Sequence, residues 1–191
     1  GMFTSKTRYG EDATAVFNML SGYSEPLVWN KLSLAPLWLR SKFLSLIERE
    51  KEHAKNGRPA RIIAKMNSLC DPGIIEALYD ASEAGVEIDL IVRGICCLRA
   101  GIKGLSEHIR VRSIVGTFLE HSRIFYFENN GNAEYYMGSA DWMPRNLDKR
   151  VEILFPVEDP ILQEEIYHIL HMQLSDTKKA HLLMPDGHYV K

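Results

Sequence analysis

Ala60-Arg-Ile-Ile-Ala-Lys-Met66, then Asp71-Pro72, then Gly85-Val-Glu-Ile-Asp-Leu-Ile-Val92-Arg93-Gly94: this stretch decides the fold. The two short apolar runs read as buried strands. Between them, Asp71 is placed to cap a helix with Pro72 at its first position. That helix is expected to run to about residue 84, where Gly85 closes it. A strand, a helix and a strand in this order suit a parallel crossover, which is nearly always right-handed.

The neighbouring segments extend the pattern in both directions. Residues 31–35 read as a short strand stopped by Pro36. Residues 37–54 carry Leu37, Leu39, Phe43, Leu44, Leu46 and Ile47 on roughly one face, with Glu48, Glu50, Lys51 and Glu52 outside it, an amphipathic helix. Further strands are expected at 109–114, 118–127, 134–137 and 151–156, with Asn129-Asn130-Gly131-Asn132 as a hairpin turn. Asp159-Pro160 opens a last helix over 161–174, and 180–184 reads as a final strand. The expectation is an α/β protein, a mixed sheet flanked by helices. Residues 1–26 read as an N-terminal arm or linker with one short helix near 12–20, and residues 27–191 as the domain.

The 191 residues, 46% hydrophobic and 25% charged, suit one ordinary globular domain. A net charge of −2 gives no global sign of nucleic acid or an anionic membrane, so a polyanion site must be a local gathering of Arg and Lys. No apolar run approaches a membrane span, and no signal peptide is visible. Three cysteines, Cys70, Cys96 and Cys97, lack zinc spacing and point to a reduced, cytoplasmic setting. The opening Gly1-Met2 resembles a tag remnant, which suggests a piece of a longer protein.

Ligands of open α/β sheets bind beyond the carboxyl ends of parallel strands. One such end offers Lys65, Asn67 and Ser68, the other Arg93-Gly94. Arginine there can fork onto a phosphate; the alternative is a salt bridge to Glu87 or Asp89. In Phe118-Leu-Glu-His121-Ser-Arg123-Ile-Phe-Tyr-Phe-Glu128, His121 and Arg123 are expected to share a strand face with Phe125 and Phe127. Gly138-Ser139-Ala-Asp141-Trp142-Met-Pro-Arg145-Asn146 follows as a turn and a basic loop. Imidazole beside guanidinium near a Gly-Ser turn suits a phosphoryl group. Arg145, Lys149 and Arg150 form a basic cluster or a solvated loop. Arg110 and Arg112 are a basic wall or simply exposed. Trp142 is read as a buried anchor rather than a base-stacking platform. His168 and His171 are ordinary helix residues, and no metal site is placed.

At Arg61-Ile-Ile-Ala-Lys-Met-Asn67-Ser-Leu, Ile91-Val-Arg93-Gly-Ile-Cys-Cys, Ile109-Arg-Val-Arg-Ser-Ile-Val, Phe118-Leu-Glu-His121-Ser-Arg and Gly138-Ser-Ala-Asp-Trp-Met-Pro-Arg-Asn, the chain resembles the C-terminal region of bacterial polyphosphate kinase. The resemblance runs from about Tyr9 to the end. It implies a phospholipase D-like fold. It also implies reversible transfer of the ATP γ-phosphate to polyphosphate, with ADP as product and magnesium required. The phosphohistidine intermediate is implied to lie in a first phospholipase D-like domain, in a motif resembling Asn-Tyr-His-Pro-Lys-Thr that this chain lacks. This chain then looks like the second such domain, incomplete alone, with the magnesium ligands outside it. Implied partners are ATP, polyphosphate, the remaining domains and further copies of the whole enzyme, but no nucleic acid. The implied setting is cytoplasmic, with membrane association through the full-length complex left open.

The positions carried over are Arg93 and His121, at the nucleotide or the transferred phosphate, with His121 as the catalytic proton donor or oxyanion partner. Lys65, Asn67, Arg123, Ser139 and Arg145 are added as a supporting shell. The phospholipase D pattern His-x-Lys-x4-Asp with a later Gly-Ser-x-Asn stands here as His121-x-Arg123-x4-Glu128 and Gly138-Ser139-Ala-Asp141, which argues against phosphodiester hydrolysis. Two other readings remain: a non-catalytic polyphosphate- or nucleotide-binding and assembly module, and a phospholipase D-type phosphodiesterase.

Overall fold

The computed structural model describes residues 2–22 and 29–191. The boundary expected at residue 26 lies outside the described residues. The first element is helix α1 (Thr7–Leu20), which begins earlier than the short helix expected near 12–20. The chain continues through β1 (Ser33–Ala35), α2 (Leu39–Lys55), β2 (Arg61–Met66), α3 (Pro72–Glu83), β3 (Glu87–Val92) and β4 (Ile109–Ile114). It then forms β5 (Arg123–Phe127), β6 (Glu134–Gly138), α4 (Pro144–Lys149), β7 (Glu152–Val157), α5 (Pro160–Leu174), β8 (Ala180–Leu183) and β9 (Tyr189–Val190).

The nine strands among the described residues join one sheet, ordered β1-β7-β6-β5-β2-β3-β4-β8-β9. Strands β2, β3 and β4 are parallel, and the other pairings are antiparallel. The mixed α/β sheet flanked by helices is as expected. The helix signals also hold: the Asp71 side chain accepts from Ile74 N–H with Pro72 behind it, and Asp159 caps α5 in the same way.

Alternation along the strands gives the sheet two apolar faces. Ile62, Ala64, Ile88, Leu90, Phe125 and Phe127 pack with Phe43, Leu46 and Ile47 of α2 and with Ile74 and Leu78 of α3. Ile63, Ile91, Ile124 and Tyr126 pack with Ile166 and Leu170 of α5 on the other side. Trp142 is fully buried on the α2 side, stacked on Phe125 at 5.3 Å and edge-on to Phe43. It is the anchor the sequence suggested.

Two glycines are set by close backbone approach. A Cβ on Gly138 would sit 2.6 Å from the Ile153 carbonyl, and one on Gly94 would sit 2.9 Å from the Asn67 carbonyl. The two glycines therefore serve sheet packing at the edge where β2 and β3 end.

The departures from expectation are local. Residues 118–122 are not strand; β5 begins at Arg123, so His121 lies in the loop before it. Phe118 and Leu119 are 86% and 65% exposed, so their apolar character does not reflect core burial. Residues 144–149, expected as loop, form the short helix α4 with Pro144 at its start.

Helix α1 is docked onto the sheet rather than trailing from it. Tyr9 Oη donates to the Pro156 carbonyl at 2.8 Å. The buried Asp12 carboxylate accepts from the backbone N–H groups of Lys31 (2.6 Å), Leu32 (2.8 Å) and Asn30 (3.0 Å), and from the Asn30 amide. Burial works against ionisation of Asp12, but these donors outweigh it and hold the carboxyl below its ordinary value. A depressed carboxylate contributes stability above its unfolded pKa of about 3.9, and that contribution is lost as pH falls through the folded value. Asp12→Ala should therefore lower unfolding stability by about 1–3 kcal/mol at neutral pH. In urea titrations the gap between wild type and variant should narrow below about pH 4. A gap independent of pH would show that the carboxylate is not the group responsible.

Candidate functional site

Strands β2 and β3 end at Met66 and Val92, and the segments leaving them remain paired. Arg93 N–H donates to the Met66 carbonyl at 3.2 Å and Gly94 N–H to the Asn67 carbonyl at 2.8 Å. Ser113 Oγ, at the end of β4, donates to the Arg93 carbonyl at 3.0 Å. The Arg93 side chain thus leaves a backbone fixed on both sides. Its Nε donates to Asn67 Oδ1 at 3.0 Å. Glu87 and Asp89, the alternative partners, are taken by Arg61, Arg110 and His108 nearer the start of β3.

From Asn67 the contacts run on to His121. Asn67 N–H donates to Asp141 Oδ1 at 2.7 Å. Asp141 also accepts from Arg123 Nε (Oδ1, 3.1 Å) and Nη2 (Oδ2, 3.0 Å), a bidentate pair with both side chains under a tenth exposed. Arg123 Nη1 donates to the His121 carbonyl at 2.7 Å and lies 2.8 Å from its Nδ1. The Asp141 backbone N–H is held by Asn146 Oδ1 at 2.8 Å. One continuous series, Arg93–Asn67–Asp141–Arg123–His121, therefore links four strand ends.

Nη1 also lies 3.3 Å from Nε2. A guanidinium can donate only to an unprotonated ring nitrogen, and the shorter approach, to Nδ1, is the one by which we assign the His121 proton to Nε2. His121 itself is exposed. Its loop has no ladder partner but is held a second time from the opposite face of the sheet. Lys65, 4% exposed and sharing the Ile63 face of β2, donates to the Ser122 carbonyl and Oγ, both at 3.0 Å, and pairs with Glu120 at 3.5 Å. Burial lowers the Lys65 pKa, with Glu120 opposing and the Arg123 and Arg93 charges adding to the decrease. Lys65, Arg93 and Glu120 line one small crevice with Ile91, Ile114 and Gln173.

The cations around this crevice divide by partner. Arg123 and Lys65 face carboxylates, whereas Arg93 is braced by a neutral amide. Arg93 thus keeps a positive charge fixed in direction and uncompensated by any described side chain. The other predicted residues stand apart. Ser139 Oγ accepts from Ile153 N–H at 3.1 Å, tying β6 to β7. Arg145 is exposed on α4 and forms no ion pair among the described residues. Arg110 is bound to Glu87 and Asp89, and Arg112 Nη1 donates to the Leu174 carbonyl, so neither forms a basic wall at the crevice. Glu128 accepts from Tyr126 Oη at the far end of β5.

Asp141 is the residue that sequence reading missed. Register was the available signal: Arg123 pairs with Gly138, so a carboxylate three residues beyond Gly138 comes within reach of the arginine.

The site's carboxylates do not suit magnesium. Both Asp141 oxygens are taken by Arg123, one of them also by Asn67, and Glu120 faces Lys65. Among the described residues, no group of three or more His, Cys, Asp or Glu side chains could hold a metal ion. No described helix is long and apolar enough to cross a membrane.

Residues 32–191 match the family described as polyphosphate kinase C-terminal domain 2. A polyphosphate kinase of Thermosynechococcus vestitus is 56% identical over 99% of this chain, and one of Synechocystis is 54% identical over all of it. In each case the match covers 26% of the relative. The crystal structure of polyphosphate kinase from Porphyromonas gingivalis superposes with a TM-score of 0.94 at 44% identity, over 98% of this chain and 29% of that one. Nuc, a phospholipase D family member from Salmonella typhimurium, superposes with a TM-score of 0.55 at 17% identity, over 75% of this chain and 92% of its own, which places the fold in that group. The chain spans about a quarter of the length of the curated relatives it matches, and it belongs to the polyphosphate kinase family.

Proposed function

We propose that this chain supplies one wall of the active site of an ATP:polyphosphate phosphotransferase. The observation that carries the reading is the series from Arg93 to His121, which fixes a guanidinium and an imidazole on one sheet edge. Phosphoryl transfer demands positioning and charge neutralisation more than covalent help from the protein. Arg93, with its neutral partner, holds the oxygens of the transferred phosphoryl group or of the nucleotide. His121, accepting from Arg123 at Nδ1, presents Nε2–H to the same group as a hydrogen-bond donor to its developing negative charge. Arg123, Asp141 and Lys65 position the histidine loop.

In this reading the phosphoryl group is carried by a histidine of another domain, since the motif implied to hold it is missing from this chain. The magnesium of the reaction is likewise held elsewhere, because the carboxylates here are spent on cations. ATP and polyphosphate are the substrates, and the enzyme acts as a homo-oligomer in the cytoplasm.

The reading is tested in a polypeptide where this chain occupies its place within a full-length relative. His121→Ala should cut ATP-driven polyphosphate synthesis by about 10²–10³-fold with the fold intact by circular dichroism. Arg93→Ala should cost roughly 3 kcal/mol in kcat/KM, about two orders of magnitude. Near-wild-type turnover in either variant removes that residue from the site. Acid-labile phosphate retained from ATP by this chain alone would contradict the placement of the phosphohistidine elsewhere.

Asp141→Ala should act through structure. Stranding the buried Arg123 should lower unfolding stability by about 3–5 kcal/mol in urea titrations. A loss below about 1 kcal/mol, the range of surface pairs, would mean that Arg123 finds another partner.

A further inference from the structure

The three cysteines take no part in the phosphotransfer reading, yet the fold brings two of them together. Leu69 N–H donates to the Ile95 carbonyl at 2.9 Å and Cys97 N–H donates to the Leu69 carbonyl at 2.8 Å, the pattern of a parallel bridge between Leu69 and Cys96. One step further, the same register sets Cys70 beside Cys97. Leu69 is buried and Cys96 packs against the same core, so the alternation turns Cys70 and Cys97 to the other side. Cys97 is exposed and Cys70 half-buried. Neighbouring backbones in a sheet lie about 4.7–4.9 Å apart, inside the Cα separation that a disulfide spans. On its other flank, Cys70 N–H is anchored to the Trp142 carbonyl at 2.8 Å.

We propose that Cys70 and Cys97 are a peroxide-reactive dithiol, closing reversibly to a disulfide between the segment after β2 and the segment after β3. The vicinal pair Cys96–Cys97 is not the one that closes. Oxidation starts at the exposed Cys97. Its thiolate attacks a peroxide oxygen, the O–O bond breaks, and sulfenic acid and water result. The Cys70 sulfur then attacks the Cys97 sulfur, the S–O bond breaks, and a second water leaves. Two thiols give up two electrons to one peroxide and yield two waters. The order fits the thiols' surroundings. Cys97 is exposed and meets peroxide first, while Cys70 is half-buried and pushed up to about 11 by burial and the hydrogen bond to Cys97. Cys70 therefore reacts second, its proton passing to the departing hydroxide as its sulfur attacks. Cys96 is pushed up to about 11, chiefly by burial, and its Sγ faces the Leu98 carbonyl at 3.7 Å, so it stands aside.

The cross-link would join the segment bearing Asn67 to the segment bearing Arg93, but the proposal rests on backbone register and not on the phosphotransfer reading. Its test is chemical. The folded chain is treated with a modest molar excess of hydrogen peroxide, quenched with an alkylating agent and mapped by mass spectrometry without reduction. The expected result is a fall from three free thiols to one, the survivor being Cys96, with a Cys70–Cys97 cross-linked peptide that a dithiol reductant reverses. Cys96→Ser should leave the cross-link intact. Cys97→Ser should abolish it, and Cys70→Ser should leave a Cys97 sulfenic acid that dimedone traps. Over-oxidation of Cys97 beside a reduced Cys70, a cross-link through Cys96, one between two chains, or three surviving thiols would each overturn the proposal.

Discussion

The buried pair between Arg123 and Asp141 is the contact on which the carboxyl edge of this sheet depends. Taking a guanidinium and a carboxylate out of water costs several kcal/mol per ion, and mutual attraction offsets this only when the remaining donors and acceptors are filled. Here they are filled. Asp141 takes two bonds from the arginine and one from the Asn67 backbone, while the remaining guanidinium nitrogen reaches the His121 carbonyl and ring. The segment after β2, the start of β5 and the end of β6 must therefore assemble together. None can shift without exposing another's charge. Exposed pairs such as Lys55–Glu52 impose no such condition, because water replaces either partner at little cost.

The loop before β5 is held from both faces of the sheet. Arg123 shares the Phe125 face, towards α2, and Lys65 shares the Ile63 face, towards α5. One grips the His121 carbonyl, the other the Ser122 carbonyl. A segment that has left the hydrogen-bonding ladder would otherwise fray, because nothing offsets its conformational entropy. Two buried cations stand in for the missing strand neighbour. This explains how an exposed histidine can keep a defined orientation on a coil segment.

Much of this was legible in the chain and some was not. Strands β2 and β3 announce themselves because strands covered on both faces are apolar without a break, and α3 and α5 because Asp-Pro marks a capped helix start. Arg93 stands out because an arginine at a strand end suits an anion, whereas His121 is singled out by its place beside Arg123, and both are positions that the family resemblance implies. The segment from Phe118 to Ser122 reads as a continuation of strand because its apolar residues run straight into those of β5, whereas Phe118 and Leu119 face outward. Strand β9, with two residues, is too short to leave a pattern. Asp141 escaped because a buried ion pair is a property of register: its partner lies 18 residues earlier on a neighbouring strand. The same blindness applied to Cys70 and Cys97, which are far apart in sequence and become neighbours only once Leu69 pairs with Cys96.

Charge balance on this edge separates holding from binding. The chain as a whole is slightly acidic, at −2, so no general field draws in an anion. Around the crevice, two of the three cations are matched by carboxylates, which fixes geometry at the expense of net charge. Arg93 differs because an amide orients it without cancelling it. Were its partner a carboxylate, an arriving phosphate would have to displace it. With Asn67 there, the guanidinium keeps its direction, its full charge and its outer N–H groups. Asp141 secures this at one remove, since it holds the Asn67 backbone whose side chain aims the arginine. The carboxylate acts on Arg93 through position, not through neutralisation, so a buried aspartate at this edge is compatible with the anion-binding role proposed for the arginine.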